Sequence, residues 1–163
     1  MCPADIEPLA KTITDRAAEA GVMLATAESC TAGLLVAALT TVSGSAKAVD
    51  RGFVTYSNQA KQQMLGVDMA LIEREGAVSR PVAEAMARGA LEKSGAGFAA
   101  AVTGIAGPPG GTADKPVGLV HFAVACGDGR ILHREERFGD IGRDSVRLES
   151  VRTALRMMAE ALG

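Results

Sequence analysis

The chain has 163 residues, 48% of them hydrophobic and 22% charged, with a formal net charge of −2. That balance suits one folded domain with its own apolar core and excludes a disordered chain. With no basic run, a single tyrosine and no tryptophan, it also lacks the charged face and stacking platforms of a nucleic-acid binder.

Ile6, Leu9, Ile13 and Ala17 recur at helical spacing and predict an amphipathic helix over Ile6–Ala20, ended by Gly21. Val22–Ala27 reads as a buried strand. Helical periodicity resumes after Ser29 through Leu34, Leu35, Ala38 and Leu39, and Ser43-Gly44-Ser45 makes a turn. Gly52–Tyr56 is a second strand, followed by a helix carrying Lys61, Met64 and Leu65 that Asn58 is placed to cap. Asp68 starts a short helix that Gly76 stops. Ser79 followed by Pro81 is the chemistry of a helix start, here for a helix through Val82, Met86, Ala90 and Leu91. After Gly95–Gly97 comes the strand Phe98–Val102, then a Gly/Pro-rich loop over 103–116. Val117–Cys126 and Ile131–Phe138 form a hairpin across Gly127-Asp128-Gly129-Arg130, and a last helix runs from about Arg143 to Leu162. Strands alternating with helices predict a three-layer α/β/α sandwich. Its sheet should be mixed and mostly parallel, the hairpin supplying the antiparallel part. Nothing divides the chain, so residues 1–163 read as a single domain.

The cysteines Cys2, Cys30 and Cys126 are odd in number and widely spaced, which gives neither a disulfide framework nor a zinc motif. No signal peptide opens the sequence, and no apolar run approaches the ~20 residues that span a bilayer. A cytoplasmic protein without membrane contact is expected.

Two segments carry the chemistry. Ser29 stands where a strand hands over to a helix, a place where free backbone N–H groups favour an oxyanion or an anionic ligand. From this segment alone, Ser29 or Thr31 reads more simply as a helix cap, and Cys30 as a core residue rather than a rival nucleophile. Lys61 follows Tyr56 by five residues. To serve as a base it needs desolvation or a neighbouring cation, and Tyr56 offers a hydroxyl to orient or relay the proton. Otherwise Lys61 is a surface lysine and Tyr56 a packing residue. The loop Thr103–Gly111 matches neither the Walker nor the dinucleotide fingerprint, and reads as a backbone cradle or a mobile connection. His121 and His133 fall on the hairpin, away from these segments, and read as structural.

In this order, Ala27-Glu28-Ser29-Cys30-Thr31, Gly52–Asn58 with Lys61, Gly76–Ser79, Thr103–Pro108 and Lys115–Gly118 resemble the C-terminal domain of the CinA competence/damage-inducible family. The resemblance covers nearly the whole chain. It implies a stand-alone version of that domain, which in longer members follows a domain resembling molybdopterin-binding proteins. It implies nicotinamide mononucleotide deamidase activity, giving nicotinate mononucleotide and ammonia, with no metal or other cofactor. Carried onto this sequence, Ser29 becomes the nucleophile, Lys61 the general base and Tyr56 an assisting hydroxyl. Arg143, Thr31, Asn58, Thr103, Gly104 and Gly107 become substrate contacts. Two departures stand out. Ala32 occupies the place of the first of two family glycines. Ile141 and Gly142 interrupt the family's Gly-Asp-Arg element; its arginine is assigned to Arg143, with Arg147 as the alternative. The partners expected are a small-molecule nucleotide and, from the apolar content, a second copy of the chain. The competing readings are the same dyad on a different amide, and a catalytically silent interaction domain serving competence or the damage response.

Overall fold

The computed structural model describes residues 2–163. Five strands form one sheet in the order β2-β1-β3-β4-β5: β1 Leu24–Glu28, β2 Val49–Val54, β3 Phe98–Gly104, β4 Leu119–Cys126 and β5 Ile131–Arg137. β1 pairs in parallel with both β2 and β3, while β3–β4 and β4–β5 are antiparallel. Four strands therefore point one way and β4 alone runs back. The sheet is mixed, its strands mostly co-directional, as the alternating pattern with a terminal hairpin requires.

Helices cover both faces. α1 (Ile6–Ala20), α2 (Leu34–Thr40) and α6 (Arg143–Leu162) pack on one side, with Ile6, Ile13, Leu35, Leu39, Leu155, Met157 and Met158 against Leu24, Val102, Val120, Phe122 and Val124. α3 (Asn58–Leu65), α4 (Met69–Glu75) and α5 (Arg80–Ser94) cover the other. There the sheet presents Ala25, Ala27, Ala99, Ala101, Ala123 and Ala125 to Ala83, Met86, Ala87 and Ala90 of α5. The period-2 alternation of β1, β3 and β4 puts Leu24, Val102, Val120, Phe122 and Val124 on one face and these alanine methyls on the other. The close approach is sharpest at Gly89, where an added Cβ would lie 2.1 Å from the Leu65 carbonyl oxygen at the end of α3. No helix among the described residues is long and apolar enough to cross a membrane.

Local chemistry sets the helix boundaries. Gly21 ends α1 at φ 67°, its N–H returned to Ala17 and Ala18. Asp68 caps α4 and Ser79 caps α5, as their positions predict. α3 is different: Ser57, not Asn58, is its cap, the Ser57 hydroxyl accepting from the Ala60 N–H. Asn58 is thereby left free as the first helical residue. α2 also departs from expectation, since it begins at Leu34 rather than directly after Ser29. The intervening turn is held by other means, described below.

This topology places a crevice. The chain leaves β1 toward α2 on one face and leaves the adjacent β2 toward α3 on the other. Where outgoing connections part in this way, a cleft opens at the carboxyl ends of the strands. Ser29 directly follows β1, and Lys61 lies one turn into α3.

Candidate active site

β1 is interior, so the residue that follows it emerges at the centre of the sheet's edge. The Ser29 backbone is fixed on both sides. Its N–H donates to the Val102 carbonyl at 3.0 Å, and its carbonyl accepts from Ala32 N–H at 3.1 Å. Ala32 sits at φ 47°, and among the described residues no other non-glycine has positive φ. Left-handed backbone costs a Cβ-bearing residue about 1–2 kcal/mol, which explains the fit of glycine at this point of the turn.

The strain is countered by Glu28, the last residue of β1 and fully buried. Its Oε2 accepts from the Thr31 hydroxyl (2.7 Å) and from the N–H groups of Gly33 and Leu35 (3.0 Å each). Its Oε1 accepts from Val36 N–H (2.9 Å) and the Thr26 hydroxyl (3.1 Å). At the start of α2 the Leu35 and Val36 N–H groups are thus spent on a side chain of the preceding strand, and the Leu34 N–H on the Thr31 carbonyl (3.0 Å). The expected oxyanion site at a helix start is accordingly absent at α2. Sequence reasoning quoted Glu28 without giving it a role. The available signal was a lone carboxylate closing an apolar strand, three residues before a threonine and just ahead of a helical pattern.

Lys61 is 1% exposed. Its Nζ lies 3.1 Å from Ser29 Oγ, 3.0 Å from the Thr55 carbonyl oxygen and 3.4 Å from that of Tyr56. Burial pulls its pKa below the ordinary lysine range. The opposing influence is the Cys30 thiol, itself pushed up to about 12 by burial and hence uncharged at neutral pH. Cys30 is therefore a poor rival nucleophile. The Thr55 hydroxyl, fully buried, has no hydrogen-bond partner among the described residues.

Around the pair lies a cavity of about 240 Å³ whose walls include Tyr56, Asn58, Ala77, Val78, Thr103, Gly104 and Arg143. No carboxylate lines it, whereas Lys61 and Arg143 do. Arg143 donates to the Gly107 carbonyl (2.8 Å) and to the Tyr56 hydroxyl (3.3 Å), bridging the mouth between α6, the loop after β2 and the loop after β3. Thr103 donates to the Ala77 carbonyl (2.8 Å) and so ties the wall segment before α5 to the sheet.

The structure brings together Ser29, Lys61, Tyr56, Asn58, Thr103, Gly104 and Arg143. Four of the expected positions have surroundings that the sequence does not display. Thr31 is fully buried and spends its hydroxyl on Glu28, so it does not face the cavity. Gly107 offers its carbonyl to Arg143 rather than an edge to a ligand. Thr103 and Gly104 close β3, paired with His121 and Val120, and do not open the loop. The Tyr56 hydroxyl meets Arg143, and it is the Tyr56 carbonyl that reaches Lys61. His121 and His133 stack on the hairpin with Nδ1 and Nε2 3.0 Å apart and take no part in the cavity.

Residues 6–162 match the CinA C-terminal domain. The chain belongs to the CinA family. A CinA-like protein of Mycolicibacterium vanbaalenii is 53% identical over 152 residues, which are 92% of this chain and 36% of that protein. One from Mycobacterium tuberculosis is 52% identical over 156 residues, 96% and 35% of the two chains. The chain thus spans about a third of the length of these relatives. Among solved structures, a competence/damage inducible protein from Agrobacterium tumefaciens superposes with a TM-score of 0.97 at 56% identity, covering 99% and 98% of the two chains. A CinA superfamily protein from Escherichia coli gives 0.90 at 36% identity, covering 96% and 90%. These likenesses account for the α/β/α architecture and for the order of the motifs.

Proposed function

We propose that this CinA domain is a cytoplasmic amidohydrolase that converts nicotinamide mononucleotide to nicotinate mononucleotide and ammonia through an acyl-enzyme on Ser29, without a metal. The observation that carries the proposal is the buried Lys61 Nζ 3.1 Å from Ser29 Oγ. As a neutral amine, Lys61 directs two hydrogens to the carbonyls of Thr55 and Tyr56, and its lone pair is left for the Ser29 hydroxyl. Desolvation favours that neutral form, and no carboxylate in the cavity opposes it.

Lys61 takes the Ser29 proton as Oγ bonds to the carboxamide carbon. It returns that proton to the nitrogen as the C–N bond breaks and ammonia leaves. Water then attacks the acyl-enzyme, giving one proton to Lys61, which passes it to Ser29 as the C–O bond breaks; the carboxylic acid released loses its remaining proton to solvent. Arg143, cationic and at the mouth, suits a phosphate-bearing substrate, since its guanidinium offers paired donors. Asn58 supplies a neutral donor and acceptor on the cavity wall.

The test is ammonia release from nicotinamide mononucleotide by EDTA-treated protein, beside Ser29→Ala and Lys61→Ala. Turnover by wild type and a loss of at least ~10³-fold in both variants is expected. The rate should rise with pH as Lys61 deprotonates, with its midpoint below the ordinary lysine range. Undiminished activity in Ser29→Ala would overturn the nucleophile assignment.

A further inference from the structure

Two arginines one helical turn apart on α6 point to the same end of the sheet, and they do different things. Arg143 lines the cavity. Arg147 passes behind the nucleophile turn, where its Nε donates to the Cys30 carbonyl (3.1 Å) and its Nη2 to the Thr31 carbonyl (3.3 Å). Resting on the amidohydrolase reading above, we propose that Arg147 is a positioning residue for Ser29, acting by holding the Cys30–Thr31 and Thr31–Ala32 peptide groups of the turn after it.

The link to Ser29 runs through peptide planarity. In a trans peptide the C=O and the next N–H point in opposite directions and turn as one unit. Holding the Thr31 carbonyl therefore aims the Ala32 N–H, which donates to the Ser29 carbonyl at 3.1 Å and fixes the serine's backbone from its C-terminal side. Holding the Cys30 carbonyl likewise aims the Thr31 N–H, which has no acceptor among the described residues. The segment needs such support, because Ser29–Gly33 lies in neither helix nor strand and carries Ala32 in the left-handed region. A guanidinium suits the task, since its rigid fork meets two carbonyls at once where an ammonium is a point donor. Glu28 anchors the far end of the same turn through Gly33, Leu35 and Val36. Arg147 ties the middle of the turn to α6, and so couples the nucleophile to the helix that presents Arg143.

Steady-state kinetics on nicotinamide mononucleotide should compare wild type with Arg147→Gln, Arg147→Lys and, as a control on the same helix, Arg152→Gln. Arg152 is engaged with Asp5 and Glu149 away from the cavity. Arg147→Gln should lower kcat about 10–100-fold with KM changed less than about twofold, the signature of a displaced nucleophile rather than lost binding. Arg147→Lys should recover little of that loss, and Arg152→Gln should leave both constants unchanged. Thermal melting of each variant reports folding separately. In parallel, the rate at which a fluorophosphonate labels Ser29 reads the nucleophile without the natural substrate, and should fall by a similar factor in both Arg147 variants.

Unchanged kcat and labelling in Arg147→Gln, whatever its melting temperature, would overturn the proposal. Full recovery in Arg147→Lys would overturn the two-carbonyl clamp. If wild type labels at Ser29 but leaves nicotinamide mononucleotide intact, the substrate assignment falls while the labelling ratio still decides the role of Arg147. If wild type neither labels nor turns over, the dyad reading falls and this proposal with it.

Discussion

Exchanging Glu28 for glutamine changes almost no volume, yet it should be among the most damaging conservative substitutions in the chain. The carboxylate accepts five hydrogen bonds and donates none. An amide can keep its oxygen at the Oε2 site and satisfy Thr31, Gly33 and Leu35. Its NH₂ must then face the Val36 N–H, donor against donor, while the Thr26 hydroxyl turns to accept. A hydrogen bond to a charged group is worth about 1.5–3 kcal/mol, and a buried unsatisfied N–H costs about 1–3 kcal/mol. The interaction of a carboxylate with the start of α2 adds roughly 0.3–1 kcal/mol. Relief from burying a charge offsets part of this sum. A net loss of about 2–4 kcal/mol follows for Glu28→Gln, a large share of the ~5–15 kcal/mol that holds a typical domain together. Glu28→Ala removes every acceptor and opens a cavity, and is expected to prevent stable folding. Urea unfolding followed by far-UV circular dichroism, with the m-value held in common, measures the difference. A Glu28→Gln variant within ~0.5 kcal/mol of wild type would refute the assignment of this carboxylate as the anchor of the turn.

Three further outcomes are open to the same assay. Ala32→Gly removes a Cβ from φ 47° and should stabilise the protein by up to ~1 kcal/mol, the relief of ~1–2 kcal/mol less the added freedom of the unfolded chain; a loss would show that the turn is not strained. Thr55→Val replaces a buried hydroxyl that has no partner and should be neutral or stabilising by ~1 kcal/mol, whereas a loss of ~2 kcal/mol would reveal a hydrogen bond to that oxygen. Burial holds the pKa values of His121 and His133 below the ordinary histidine value, with Lys115 and Arg137 acting in the same sense on the first, Arg80 on the second, and Glu135 and Glu84 opposing. Their contribution to stability is complete above the unfolded value near pH 6.5 and is lost as pH falls through the folded values, so His133→Asn should flatten the stability profile below pH 6.5.

Most of the architecture was legible because it rests on periodicity and punctuation. Ile6, Leu9, Ile13 and Ala17 declare α1, and Gly127–Arg130 declares the hairpin. Element ends were less so. Val22 and Met23 are apolar enough to extend β1 on paper, but the strand begins at Leu24, where pairing with β2 and β3 begins. The pairing of Ser29 with Lys61 spans 32 residues, and no local pattern encodes it. The resemblance implies it, and the topology that parts α2 from α3 brings the two side chains within 3.1 Å. Glu28 escaped notice because a buried carboxylate is recognised by its donors, and these are backbone groups that no sequence displays. Arg143 and Arg147 are interchangeable as letters four apart, and only the direction of each side chain separates the one at the cavity from the one behind the turn.

The methyl-lined face beneath α5 has a consequence for how this domain tolerates change. Alanine has no side-chain rotamers to freeze, so this layer is ordered at little entropic cost. It also has almost nothing to lose by truncation. Mutational risk on this face therefore runs in the opposite sense from that of the Leu- and Met-filled side: growth, not shrinkage, is what the layer cannot absorb. Ala99, Ala101 and Gly89 are places where one extra carbon would press α5 outward and carry the end of α3, and with it Lys61, away from Ser29.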